Sequence, residues 1–177
     1  MAEPEIEGTL FTEEQVKVQV SELARRISED YEDGQPLLVG ILKGAFVFLA
    51  DLARAMEIPV EFDFMALSSY GSMTKTSGVV RILKDLDTDI TGRNVLIVED
   101  LIDTGLTLNY LLRNIEARGP KSVEICALLN KRAANKVEIP IKYEGFSIPD
   151  VFVVGYGMDY AERYRNLPYI AGLKKQP

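Results

Sequence analysis

The first readable pattern is Thr12-Glu13-Glu14-Gln15, whose spacing is that of a capping box opening a helix. Val16, Val20, Leu23, Ala24 and Ile27 then recur on one face, which predicts a helix ending near Asp33-Gly34. Leu37–Leu42 is a short apolar run and reads as a buried strand. A second helix is predicted from Ala45 to about Met56, stopped ahead of Pro59. Val60–Leu67 and Val79–Leu83 read as strands on either side of a polar loop, Ser68–Gly78. Asn94–Val98 is a strand of Val, Leu and Ile that ends on Glu99-Asp100. A third helix is predicted from about Gly105 to Ala117, closed by Gly119-Pro120. Ser122–Leu129, Ile139–Ser147, Val151–Gly155 and Pro168–Leu173 complete the expected strands.

Strands that alternate with helices through the middle of the chain imply right-handed βαβ units and a mostly parallel sheet flanked by helices, an α/β fold. The two strands around Ser68–Gly78 read instead as a hairpin standing off that sheet. No internal repeat or linker divides the chain, and 177 residues suit one domain, 1–177.

Composition narrows the chemistry. Acids outnumber bases 27 to 20, a net charge of −7, which argues against nucleic acid as the main ligand. There is no His, so proton transfer and metal binding fall to carboxylates, Lys, Tyr or backbone. The one cysteine, Cys126, lies in the apolar run Val123–Leu129, reads as a small buried hydrophobe, and leaves no intrachain disulfide to form. With no long apolar stretch and no basic start before an apolar segment, a cytoplasmic protein without a membrane span is expected.

The most informative stretch runs from Val95 to Leu108, VLIVEDLIDTGLTL. A buried strand ends in two carboxylates, and a short loop then supplies Thr104, Gly105 and Thr107 at a helix start. In open α/β sheets ligands sit beyond the carboxyl ends of the strands. Glycine permits close backbone approach, threonine hydroxyls donate, and free N–H groups at a helix N-terminus attract an anion. Carboxylates beside a phosphate would repel it unless they face something else, such as a cis-diol, a divalent cation, or both. A diol at one end and a phosphate at the other describes ribose 5-phosphate. The bland alternative is a strand-to-helix turn with N-capping acids.

The segment resembles the phosphoribosyl-diphosphate motif of the type I phosphoribosyltransferases, and the chain from about Phe11 to Leu173 resembles their hypoxanthine–guanine branch. The likeness rests on Leu42–Ala45, Ser68–Gly71, Val98–Leu108 and Pro149–Tyr160. It implies the type I fold, with a small hood formed by the N- and C-terminal segments and a flexible hairpin lid at 68–78. It implies as substrates 5-phosphoribosyl 1-diphosphate, with Mg²⁺, and a 6-oxopurine, and it implies a homodimer or homotetramer. By the same resemblance Glu99 and Asp100 hold the ribose hydroxyls and Mg²⁺, Asp103 is the catalytic acid/base near the purine, and Thr104, Gly105, Leu106, Thr107 and Leu108 wrap the 5′-phosphate. Lys43-Gly44 and Arg165 take the diphosphate. Lys131 donates to the purine 6-oxo group, Phe152 stacks on the base, the Val153 backbone reads its edge, and Asp159 binds near a second Mg²⁺ or the base.

Taken without the resemblance, Lys43-Gly44 is a plain strand-to-helix turn, Lys131 a solvated lysine, Phe152 a core aromatic, and Arg163 and Arg165 surface charges. The loop at 68–78 is long for a hairpin. As a lid it would exclude water from an electron-poor anomeric carbon, and it is expected to be mobile without ligand. Arg132 stands where many bacterial relatives carry Pro, which leaves the geometry around Lys131 open, and Met73 is unusually apolar for a lid. Three other functions compete: a non-enzymatic sensor of the phosphoribosyl donor, a xanthine-preferring transferase, and a phosphoacceptor receiver domain, for which the 77 residues after Asp100 are too few. No P-loop is present, and Gly155-Tyr156-Gly157 lacks the third glycine of a dinucleotide fingerprint.

Overall fold

The capping box forms as read: Thr12 Oγ1 accepts from the Gln15 amide at 3.3 Å, and the Gln15 side chain accepts from the Thr12 amide at 2.9 Å. It starts helix α1, Glu13–Asp30, which buries Val16, Val20, Leu23, Ala24 and Ile27. The computed structural model describes residues 6–70 and 79–174. After α1 come strand β2 (Leu37–Leu42), helix α2 (Phe46–Ala55), strands β3 (Glu61–Tyr70), β4 (Val79–Lys84) and β5 (Asn94–Ile102), helix α3 (Leu106–Glu116), and strands β6 (Ser122–Asn130) and β7 (Tyr143–Ser147). Strand β1 (Ile6–Phe11) precedes α1, and β8 (Val153–Val154) and β9 (Ile170–Leu173) close the chain.

Six strands form one sheet in the order β4-β3-β2-β5-β6-β7. All its pairings are parallel except β3 with β4. Alternation along the strands splits the core in two. Leu38, Leu96, Val98, Cys126 and Leu128 pack with α1 and α2. Leu37, Val39, Ile41, Val95, Ile97, Ile125 and Ala127 pack with α3 on the other face. A three-stranded antiparallel sheet, β1-β9-β8, joins the two ends of the described chain. The Tyr156 hydroxyl, just past β8, donates to Asp51 of α2 at 2.6 Å and ties this smaller sheet to the larger body. Among the described residues no helix is long and apolar enough to cross a membrane.

Several boundaries differ from the sequence reading. Strand β5 runs on through Glu99, Asp100, Leu101 and Ile102, because β6 pairs with it as far as Asn130. The expected strand Ile139–Ser147 is shorter and begins only at Tyr143. Pro140 offers no N–H to a ladder, which accounts for the late start. Strand β1 was not anticipated: four of its six residues are exposed, so it carries no apolar alternation to read.

The hairpin β3–β4 is anchored by Asp63, which is only 4% exposed. Its Oδ1 accepts from the Phe64 amide at 2.7 Å, and its Oδ2 from the Asp87 and Thr88 amides, each at 2.9 Å. Burial raises the Asp63 carboxyl's pKa, but these donors and the Thr88 hydroxyl outweigh it and hold the group below the ordinary value. Asp63→Ala should therefore lose about 2–4 kcal/mol in urea unfolding at pH 7, since three amides lose their acceptor. A carboxylate with a lowered folded pKa contributes above its unfolded pKa and loses that contribution as pH falls through its folded one. The gap between wild type and variant should thus narrow below about pH 4; a gap that stays constant down to pH 2 would count against the anchor.

Candidate active site

Strand β2 lies between β3 and β5, and the chain runs outward from it in opposite directions on its two sides. A crevice opens at the carboxyl ends of strands that part in this way. Lys43 and Gly44 follow β2, after a cis peptide between Leu42 and Lys43. Glu99 and Asp100 lie near the end of β5. A Cβ placed on Gly44 would fall 1.9 Å from Asp100 Oδ2. A Cβ on Gly157 would fall 2.2 Å from the Gly44 carbonyl, and Gly157 holds φ at +98°. The two glycines and Asp100 are therefore stacked with no room for a side chain.

Glu99 and Asp100 are adjacent, half-buried carboxyls. Burial, the Asp100 charge and a hydrogen bond to Asp100 hold Glu99 well above its ordinary pKa. Burial pushes Asp100 up to about 6, although backbone amides and the Arg165 charge pull the other way. Burial therefore favours the neutral form of both carboxyls, Glu99 more strongly than Asp100.

Past β5 the chain turns through Asp103 and Thr104 to Gly105, whose φ of +78° breaks the strand before α3. The first amides of α3, on Leu106, Thr107 and Leu108, have no partner inside the helix. Thr104 Oγ1 sits 3.5 Å from the Leu106 amide. The Leu108 side chain is packed in the core, which leaves only its backbone to face a ligand.

Lys131, just past β6, is not solvated. Its side chain is 6% exposed, with Nζ 3.0 Å from Asp103 Oδ2 and 3.4 Å from Asp150 Oδ1. Two carbonyl oxygens face the Asn135 carboxamide, so its nitrogen turns toward them and donates to Lys131 O at 3.1 Å and Asp103 O at 2.6 Å. Arg132 begins a 3₁₀ turn, Arg132–Ala134, and pairs with Glu144 of β7 at 2.8 Å, which answers the geometric question left by the missing proline.

Lys43, Gly44, Asp100, Asp103, Lys131, Phe152, Val153, Asp159 and Arg165 line a single cavity of about 290 Å³, with Leu101 and Met158. Phe152 is 48% exposed and meets Tyr160 edge-on, with ring centroids 5.7 Å apart. The Arg165 guanidinium donates to the Gly157 carbonyl at 2.8 Å and pairs with Asp159 at 2.8 Å, while its buried Nε has no hydrogen-bond partner. Lys43 Nζ lies 3.1 Å from Glu162 Oε2. Among the described residues no three metal-binding side chains cluster, so Glu99, Asp100 and Asp159 do not form one ready-made cage. Of the predicted lid, 68–78, residues 71–78 lie outside the described residues, and Ser68, Ser69 and Tyr70 belong to β3.

Asp150, Glu162, Gly157 and Asn135 escaped the sequence reading as members of the site. Their partners lie far away in the chain or are backbone atoms, and no local spacing signals either. Gly157 alone carried a hint, as part of a glycine-rich stretch following a short strand.

Residues 8–161 match the family model of the phosphoribosyl transferase domain. The chain is 55% identical over 175 residues to the hypoxanthine-guanine phosphoribosyltransferase of Mycobacterium avium, covering 96% of this chain and 86% of that one. It is 50% identical to the enzyme of the same name from Bacillus subtilis, covering 98% and 97%. A crystal structure of a hypoxanthine-guanine phosphoribosyltransferase from Bacillus anthracis superposes with a TM-score of 0.91 at 49% identity, covering 95% of this chain and 99% of that one.

The carboxyl pair costs stability where no cation offsets it. Asp100→Asn removes its charged member and should raise the melting temperature of the ligand-free protein by about 2–4 °C at pH 7.5. A folded pKa near 6 means the penalty is absent near pH 4 and complete above 6, so the gain should vanish at pH 4. Equal melting temperatures at pH 7.5 would show that the pair is not strained.

Proposed function

The chain belongs to the phosphoribosyl transferase domain family, and from that premise we propose that it moves a 5-phosphoribosyl group from its 1-diphosphate to a 6-oxopurine. Its fold is the type I phosphoribosyltransferase fold. The acceptor is hypoxanthine or guanine, the reaction is one of purine salvage, and the products are inosine or guanosine monophosphate and diphosphate. The observation that carries the reading is the buried Lys131, paired with Asp103 on the wall of the cavity that also holds Lys43, Asp100 and Arg165.

Each group then has a task. The amides of Leu106, Thr107 and Leu108, with the Thr104 and Thr107 hydroxyls, receive the 5-phosphate at the α3 N-terminus. Asp100 and Glu99 accept from the ribose hydroxyls. Phe152, half exposed at the cavity, offers a face for the purine ring, and the Val153 backbone reads its edge. Lys131 has three ammonium protons: one goes to Asp103, Asp150 lies at ion-pair distance, and another donates to the purine 6-oxo oxygen. Purine N9 forms a bond to C1 of the ribose as the C1–O bond to diphosphate breaks. Asp103 takes the proton the base gives up. Lys43 and Arg165, whose Nε lacks a partner, balance the charge of the departing diphosphate.

The donor set suits Mg²⁺. This ion is held by one or two carboxylates together with substrate oxygens and water rather than by an all-protein cage, and the half-buried pair Glu99–Asp100 is a carboxylate pair that a cation would relieve. Glu99 and Asp100 would hold the ion at the ribose, with Asp159 beside a second. Bound there, it supplies Lewis-acid stabilisation of the leaving diphosphate. A cytoplasmic setting fits the lone, buried thiol of Cys126.

Steady-state kinetics with one donor, Mg²⁺ and four bases tests the reading directly. Hypoxanthine and guanine should be used, and adenine should be disfavoured on the order of 10⁴-fold in kcat/KM, because its 6-amino group leaves Lys131 without an acceptor. Comparable use of adenine would remove Lys131 from base selection. Xanthine in the same panel ranks the third 6-oxopurine. In parallel, Asp103→Ala should lower kcat by about 10²–10⁴ while donor affinity changes by less than about threefold. Wild-type turnover in that variant would take Asp103 out of the chemistry.

A further inference from the structure

We propose that Glu162 stands in for diphosphate on Lys43 and Arg165 in the ligand-free protein, and so sets how readily that product leaves. The inference rests on the transferase reading above and deepens it at the same cavity.

One carboxylate oxygen, Glu162 Oε2, lies 3.1 Å from Lys43 Nζ and 3.5 Å from Arg165 Nη2. Those two cations come from chain segments more than a hundred residues apart, and both line the cavity. Glu162 is thus positioned where an anion that binds both cations must go.

The backbone supplies an independent observation. Tyr160 and Arg163 close a two-residue turn through paired hydrogen bonds, Tyr160 N to Arg163 O at 3.1 Å and Arg163 N to Tyr160 O at 3.0 Å. Its central residues, Ala161 and Glu162, hold φ at +50° and +63°. Turns with two left-handed residues favour Asn and Gly, and other side chains there are strained. Such strain persists only where surrounding contacts over-determine it. Here Asp159 supplies them: its Oδ2 accepts from the Glu162 amide at 2.8 Å, and its Oδ1 pairs with Arg165 at 2.8 Å. One carboxylate therefore fixes both the strained turn and the cation that the turn faces.

The strength of the contact suits a placeholder. The Lys43 and Glu162 side chains are 67% and 66% exposed, so their pair is weak and a multiply charged diphosphate can displace it. After the C1–O bond has broken, the same carboxylate competes for the same cations and repels the product. Glu162 is accordingly a positioning residue: it acts through Lys43 and Arg165 and touches no reacting atom.

The test uses the full chain with saturating Mg²⁺. Diphosphate binding is measured by titration calorimetry for wild type, Glu162→Gln, and Glu162→Asp, which is one methylene shorter. Both variants should bind diphosphate about threefold to tenfold more tightly than wild type. Product inhibition by diphosphate should strengthen in step, while KM for hypoxanthine changes by less than about twofold. A merely structural role would move both substrates and the melting temperature together. If wild type binds diphosphate and neither variant binds it more tightly, the placeholder idea is wrong. If wild type with Mg²⁺ does not bind diphosphate at all, the transferase reading itself fails.

Discussion

Everything at this site depends on how closely two backbones and one carboxylate approach where β2 and β5 end side by side. Gly44 lies against Asp100, and Gly157 lies against the Gly44 carbonyl, with no space for a methyl group at either. This contact brings three stretches of chain together: the turn after β2, the end of β5, and the segment beyond β8. Each contributes a charged group to one cavity, namely Lys43, Asp100 and Arg165. A methyl at position 44 would push Asp100 aside and open the crevice where the sheet changes direction. The parallel sheet sets strand order, but it is this close approach that turns a crevice into a site of about 290 Å³.

Electrostatics explains how so many charges coexist in so small a volume. Each cation at the cavity already has a carboxylate partner: Lys131 with Asp103 and Asp150, Lys43 with Glu162, and Arg165 with Asp159. Burial and the Asp100 charge hold Glu99 above its ordinary pKa. These pairings offset every cation at the cavity, which limits the cost of burying them. A substrate that brings phosphates and a divalent cation replaces one set of pairs with another instead of meeting bare charge. Preorganised partners of this kind keep side chains in place before the ligand arrives.

Much of this was legible in the chain, and the exceptions have physical causes. The helix α1 cap and apolar face are local, and local spacing revealed both. The segment Val95–Leu108 announced a diol and a phosphate because strand, carboxylates, glycine and threonines are consecutive. Its carboxylates were read as following the strand, yet pairing with β6 draws them into it, an effect of a partner 28 residues away that leaves no local trace. Lys131 read as solvated for the same reason: what buries and pairs it comes from β5's exit loop and from Asp150. Glu162 reaches Lys43 across 119 residues, and only folding reveals the contact. Strand β1, mostly exposed, and the overextended Ile139–Ser147 mark the two ways periodicity misleads, by missing edge strands and by reading apolar residues around a proline as ladder.

The arrangement around Lys131 also explains how a single ammonium can discriminate between bases. A solvated lysine would turn its protons to whatever acceptor passed, water included, and would lose little on meeting an amino group. Lys131 is 6% exposed on its side chain, hydrogen-bonded to Asp103 and paired with Asp150 at 3.4 Å. The Asn135 bridge between the Lys131 and Asp103 carbonyls then fixes the two loops relative to one another. A donor held this firmly cannot turn away from a base that offers no acceptor, so its desolvation is left uncompensated. Because the same pair contains the group proposed to take the base proton, recognition of the 6-oxo oxygen and placement of the proton acceptor are set by one geometry. A base that misaligns the first disturbs the second, and selection then falls on the rate of transfer as well as on binding.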